Sequence, residues 1–238
     1  MKALALKRQT QRIENTDAAT GLRSRLVRDG SWTLRSTDEP TADESRHKRP
    51  GMQGPIDDAF TGRFLFVTPS GKAADDKVQA WIDRELEFAQ ARWRSIMRGD
   101  IRLIRDTELT EEQIADSHLV CFGDFASNRY LARVADRLPV MWTGDELRVG
   151  SHSFSPQTHV PVFCFPNPEN PDRYVVINSG MTFREFSNVS NSRQIAMLPD
   201  WAVVDITESG AGIYPGGIAA KGFFDENWGL SDKGIAGE

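Results

Sequence analysis

The sequence predicts an α/β fold over residues 54–238: a three-layer sandwich with helices on both faces of a mostly parallel sheet. Three observations point there. Runs such as RFLFV (63–67), HLVCF (118–122) and YVVI (174–177) are apolar without alternation, as in strands buried on both faces. Residues 73–97 place apolar side chains at three- and four-residue spacing, the signature of an amphipathic helix. Strand-like and helix-like stretches also alternate along the chain, which in βαβ units gives parallel neighbours.

Residues 1–53 read differently. LVRDGSWTL offers a short β-hairpin, Leu26–Arg28 with Ser31–Leu34 around Asp29-Gly30. The stretch TDEPTADESRHKRPG that follows is too polar to bury a core and reads as a linker. Residues 1–53 are thus expected to be the tail of a preceding domain plus a linker, and 54–238 the α/β domain.

In that domain RFLFV opens the sheet and TPSG turns it. Val78, Trp81, Ile82, Leu86, Ala89, Trp93 and Ile96 line one face of the long helix, and Gly99 stops it. IRLIRD is a second strand. LTEEQIAD is a short helix capped by Thr110, with acids in its first turn. HLVCFGD is a third strand, and SNRYLARVADRL a helix behind Ser127 as N-cap. VMWTGDELRVGSHSF reads as a strand or hairpin pair around Gly144-Asp145, and VPVFCFPNPENPDRYVVINSG as two strands around a proline-rich loop. TFREFSNVSNSRQ is expected to be helical and WAVVDIT to be the last core strand. GFFDENW closes the sheet edge or meets another domain. The sheet would be Rossmann-like or flavodoxin-like, with ligands bound outside the carboxyl ends of its strands.

A net charge of −5 excludes the strongly basic character expected of nucleic-acid or anionic-membrane partners. No apolar run approaches the roughly 20 residues of a membrane span. The apolar part of MKALALKRQT is shorter than the roughly 7–15 residues of a signal-peptide core. Export on its own signal is therefore not expected, though a longer secreted protein could carry the chain. Cys121 and Cys164 sit in apolar runs and read as free buried thiols. No metal or cofactor is predicted.

The candidate ligand-binding residues lie in two loops after core strands: Asp124, Ser127 and Asn128 in FGDFASN, and Asn178, Ser179, Gly180, Thr182 and Arg184 in NSGMTFRE. Two readings fit them. Helix-start amides beside Arg184 would hold an anion. Alternatively Asn178 and Ser179 satisfy turn amides, Gly180 supplies a positive φ, and Thr182 caps a helix. The sequence contains no GxxxxGK[ST], GxGxxG or GxSxG, and Ser179 lacks a glycine two residues before it, so no catalytic residue is assigned. Asp57 and Asp58 could hold a metal or share a proton, but acids at the foot of a strand more often cap turns. His118, at a strand start, belongs to the edge opposite the ligand loops and reads as structural.

The segments KRPGMQGPIDDAF, WRSIMRGDI, FGDFASN, PNPENPDRYVVINSGMTFRE, LPDWAVVDIT and GFFDENW occur in this order. Together they resemble the C-terminal region of large bacterial prolyl-oligopeptidase-like proteins, the planctomycete-type multidomain α/β-hydrolases. The resemblance spans nearly the whole chain. It implies a noncatalytic accessory domain of a serine peptidase or esterase whose catalytic serine lies outside this chain. It also implies a partner: a hydrolase domain in the same or a neighbouring polypeptide. The alternative is a stand-alone binding protein or enzyme using a polar, anion-favouring cleft at the C-terminal edge of the sheet.

Overall fold

A computed structural model describes residues 24–29, 31–36, 47–182, 197–208 and 215–230. The chain divides into two compact units, Met1–Glu44 and Ser45–Glu238. In the first, β1 (Ser24–Asp29) and β2 (Ser31–Ser36) pair antiparallel from Ser24↔Ser36 to Asp29↔Ser31, the hairpin that Asp29-Gly30 predicts. Of the expected linker, 37–46 lies outside the described residues, as does most of the expected helix 182–194, whereas 47–53 belongs to the second unit, where Met52 is buried and Lys48 pairs with Asp200.

The second unit opens with a 3₁₀ turn, Ile56–Phe60, and β3 (Phe64–Thr68). Then come α1 (Asp76–Met97), β4 (Leu103–Arg105), α2 (Glu111–Asp116), β5 (His118–Cys121) and α3 (Arg129–Val134). Three short strands follow: β6 (Val140–Trp142), β7 (Leu147–Val149) and β8 (His152–Phe154). The chain continues with β9 (His159–Asn167), β10 (Asn170–Ile177), β11 (Trp201–Asp205) and β12 (Gly217–Gly222).

The expected mostly parallel three-layer sandwich is not what forms. The seven-stranded sheet runs β12-β11-β9-β10-β5-β3-β4 and is mixed. The neighbours β10–β5, β5–β3 and β3–β4 are parallel, whereas β10–β9, β9–β11 and β11–β12 are antiparallel. The other three strands form a separate antiparallel sheet, β6-β7-β8. The physical reason lies in the connections. Pro168 and Glu169 are the only residues between β9 and β10, too few for a parallel crossover, so the pair must be a hairpin. An unbroken apolar run reports burial on both faces and nothing about strand direction.

Helical content is also smaller than a doubly wound fold requires. Among the described residues only α1, with 22 residues, is long; α2 and α3 have six each. Asp75 starts α1 by accepting the amides of Lys77 and Val78, and Arg98, in the left-handed region at φ 60°, ends it one residue before the glycine expected to do so. Val78, Trp81, Ile82 and Ala89 are buried, and Trp93 meets Phe64 edge-on at 4.8 Å. Burying each such large side chain contributes on the order of 1.5–3 kcal/mol. Thr110 caps α2, as predicted, and Gln113 completes a full capping box. Asn128, rather than Ser127, caps α3.

Small residues hid β12 from the sequence pattern: Gly217, Ala219, Ala220 and Gly222 carry little β-propensity. It pairs with β11 because Trp201 needs the space that Gly222 leaves; a Cβ there would lie 2.7 Å from the indole. The GFFDENW segment packs on the interior strands β9 and β10 rather than closing an outer edge of the sheet. Phe224 and Trp228 are buried, with their rings 5.5 and 6.1 Å from Phe165. Both cysteines are free and buried. Among the described residues no helix is long and apolar enough to cross a membrane.

Candidate functional site

The parallel half of the sheet brings the carboxyl ends of β3, β5 and β10 side by side, and the loops leaving them meet. Asn178 follows β10 at φ 51°, in the left-handed region that asparagine tolerates better than most residues. Its side chain mimics a peptide group against Gly123: Oδ1 accepts the Gly123 amide at 2.9 Å and Nδ2 donates to the Gly123 carbonyl at 3.0 Å. Asp124 Oδ1 accepts the amides of Ala126 at 3.1 Å and Ser127 at 2.8 Å, and Oδ2 accepts that of Ala74 at 2.8 Å. Ser127 Oγ accepts the Asp124 amide at 2.9 Å. Asn128 Oδ1 caps Tyr130 and Leu131, while Nδ2 donates to the carbonyls of Phe122 and Val67.

Asp124, Ser127, Asn128 and Asn178 are therefore brought together as predicted, but each is bonded to backbone. The predicted role of Gly180 is corrected. The positive φ belongs to Asn178; Gly180 is small because α1 passes close by, and a Cβ would lie 2.5 Å from that of Ala89. Ser179 Oγ donates to the Gly180 carbonyl at 2.8 Å. Thr182 is held by other groups. Its amide donates to Asp57 Oδ1 at 2.7 Å, its hydroxyl donates to Asp57 Oδ2, and its oxygen accepts the amides of Met197 and Leu198. Arg184 lies outside the described residues.

A small pocket of about 110 Å³ opens beside this edge, lined by Asp75, Val78, Asp124, Trp142, Thr143 and Gln157 among others. Its two charged groups are carboxylates, which oppose an anion. A wider, open cleft of about 490 Å³ lies between the end of α3 and the small sheet, floored by Phe125, Leu138, Val140, Trp142 and Leu230, with Asp136 and Arg148 also lining it.

The opposite edge carries a second polar assembly that the sequence reading set aside. Tyr174 OH donates to Asp58 Oδ2 at 2.7 Å and accepts the Gly54 amide at 2.9 Å. The Tyr174 amide donates to His118 Nδ1 at 2.8 Å, which requires that nitrogen to be unprotonated. Burial, reinforced by the nearby Arg173 charge, lowers the His118 pKa to about 4. Burial also raises the Asp57 pKa to about 6, against the two Thr182 hydrogen bonds. Asp200, fully buried, pairs with Lys48 at 2.5 Å and accepts the Phe224 amide at 2.9 Å. Its other oxygen, Oδ1, faces the Cα of Gly54, where a Cβ would sit 2.0 Å away. Lys48 also stands over the Trp228 ring, 4.9 Å from its centroid.

The signals for this assembly were the adjacent acids in GPIDDAF, His118 at a strand start, and the lysine in KRPG. Nothing in their spacing relates one to another. Among the described residues no group of three metal-ligating side chains comes together. No family model matches the chain, and no curated protein or solved structure matches it either.

Proposed function

We propose that this chain is a noncatalytic accessory domain of a serine peptidase or esterase-type α/β-hydrolase, the catalytic serine lying outside this chain. One observation carries the noncatalytic part of the reading. At the carboxyl edge, where a sheet of this kind would hold its ligand, Asp124, Ser127, Asn128 and Asn178 are spent on backbone groups of neighbouring loops. Such residues fix loops in place and offer no free nucleophile or base. The association with a hydrolase rests on the sequence resemblance. The alternative of an anion-favouring cleft at this edge has less support, since the amides of Gly123, Asp124, Ala126 and Ser127 already have acceptors and the adjacent pocket presents Asp75 and Asp124.

The test is direct. The purified chain should hydrolyse no generic ester or aminoacyl chromogenic substrate, and a fluorophosphonate probe should label no serine. A hydrolase domain carrying GxSxG should be encoded upstream in frame or beside it, and should co-elute with the chain on size-exclusion chromatography. A labelled serine whose substitution abolishes turnover would overturn the proposal, and so would failure of that hydrolase to associate.

A further inference from the structure

We propose that the outer edge of β4 is a docking edge for an extended acidic segment of a partner protein, which adds to the sheet as one more strand. This surface lies apart from the polar loops and does not depend on the accessory-domain reading.

The backbone argument comes first. β4 ends the seven-stranded sheet and, among the described residues, pairs with β3 alone. The Phe66 amide donates to the Arg102 carbonyl at 3.0 Å. In a parallel ladder the bonds to one neighbour engage every second residue, so Arg102 and Ile104 turn their peptide groups toward β3. The amide and carbonyl of Leu103 and the amide of Arg105 then point away from the sheet, a ready template for a further strand, while the Arg105 carbonyl opens the 3₁₀ turn Asp106–Glu108.

Side chains add an apolar anchor. Leu103 is registered with Phe66, so it lies on the same sheet face as Phe64 and Phe66, the face that α1 covers through Trp93. Met97 is one helical turn beyond Trp93 on that side of α1. Leu103 is 49% exposed and Met97 46%, two of only four large apolar side chains so exposed among the described residues.

Charge then selects the occupant. Between positions 92 and 105 Arg92 is buried, and the exposed charges are four arginines, Arg94, Arg98, Arg102 and Arg105, against one acid, Asp100, a surface charge of +3 on a chain of −5. Arg94 pairs with Asp100, and Arg102 donates to the Phe64 carbonyl. Arg98 and Arg105 are exposed and make no ion pair among the described residues. A second copy of this edge would bring like charges together, so the arginines discourage self-pairing and favour an acidic strand. A nucleic acid would satisfy the charge but use neither the outward peptide groups nor the exposed Leu103 and Met97.

The experiment uses a fluorescein-labelled peptide of alternating glutamate and valine, read by anisotropy, with amide hydrogen exchange on the same complex. The peptide should bind, and the Leu103 and Arg105 amides should slow while that of Ile104 stays unchanged. The pair Arg98→Glu and Arg105→Glu should weaken binding about tenfold or more. Leu103→Pro removes an outward amide while sparing the bonds to β3, and should also weaken binding about tenfold. If circular dichroism shows Leu103→Pro unfolded, the charge-reversed variant and the exchange data decide. The proposal is overturned by no binding to the wild type, by undiminished binding to the charge-reversed variant or to a folded Leu103→Pro, or by binding without slowed exchange. Equal affinity for a single-stranded oligonucleotide would likewise overturn it.

Discussion

The two ends of the parallel strands are both crowded with polar residues, and they use them in different ways. At the carboxyl end Asn178, Asp124, Ser127 and Asn128 bond to backbone amides and carbonyls, replacing peptide partners that loops cannot supply. At the opposite end Asp57, Asp58, His118, Tyr174, Lys48 and Asp200 bond chiefly through charged or titratable groups. The first kind of assembly is a set of clamps that tie loops to one another through their backbone groups. The second joins segments far apart in sequence, 48 to 200 and 57 to 182, and is sensitive to protonation.

The largest expected effect is at the second end. Asp200→Ala leaves the Lys48 ammonium and the Phe224 amide without their shared acceptor, and should cost about 3–5 kcal/mol in urea unfolding. A cost below about 1 kcal/mol would mean that Lys48 relaxes into solvent and the assembly is not a joint. At the clamp end Asn178→Ala strips two bonds from Gly123 and places alanine at φ 51°. We expect about 3 kcal/mol lost, equally at pH 4 and pH 7. A pH-dependent loss would erase the distinction between the two ends.

Titration sharpens the contrast further. His118 has a folded pKa near 4, below the 6.5 of an unperturbed histidine, so the stability it contributes is present above 6.5 and lost as pH falls toward 4. Asp57 has a folded pKa near 6, above its ordinary 3.8, so its contribution is present below 3.8 and lost as pH rises through 6. The two slopes oppose each other across nearly the same window. His118→Asn keeps an acceptor for the Tyr174 amide without titrating there. Relative to wild type, its stability should decline by about 2–3 kcal/mol as pH rises from 4 to 6.5. Asp57→Asn should show the reverse trend over pH 4–6, and parallel curves for all three proteins would refute the assignment. The smallest effect expected is Ser127→Ala, which removes the acceptor of the Asp124 amide and should cost about 1 kcal/mol, independent of pH.

Much of the local structure was legible. The long helix, the Thr110 cap, the Asp29-Gly30 hairpin and the buried thiols all follow from rules that act within a few residues. The meeting of FGDFASN with the loop after β10 was also anticipated, because parallel neighbours carry their carboxyl ends together. The direction of half the sheet was not. The expectation of parallel strands overlooked the two-residue link at Pro168-Glu169, which forces β9 antiparallel to β10.

What the sequence by itself determined was where the chain is buried and where it turns, because apolar periodicity, caps and glycines act on neighbouring residues. What only the tertiary structure decided was which polar groups share a site. Asp57 finds Thr182, and Asp200 finds Lys48, across more than a hundred residues each. A hydrogen bond needs heavy atoms within about 3 Å, and that proximity is fixed by strand order, which no local pattern encodes.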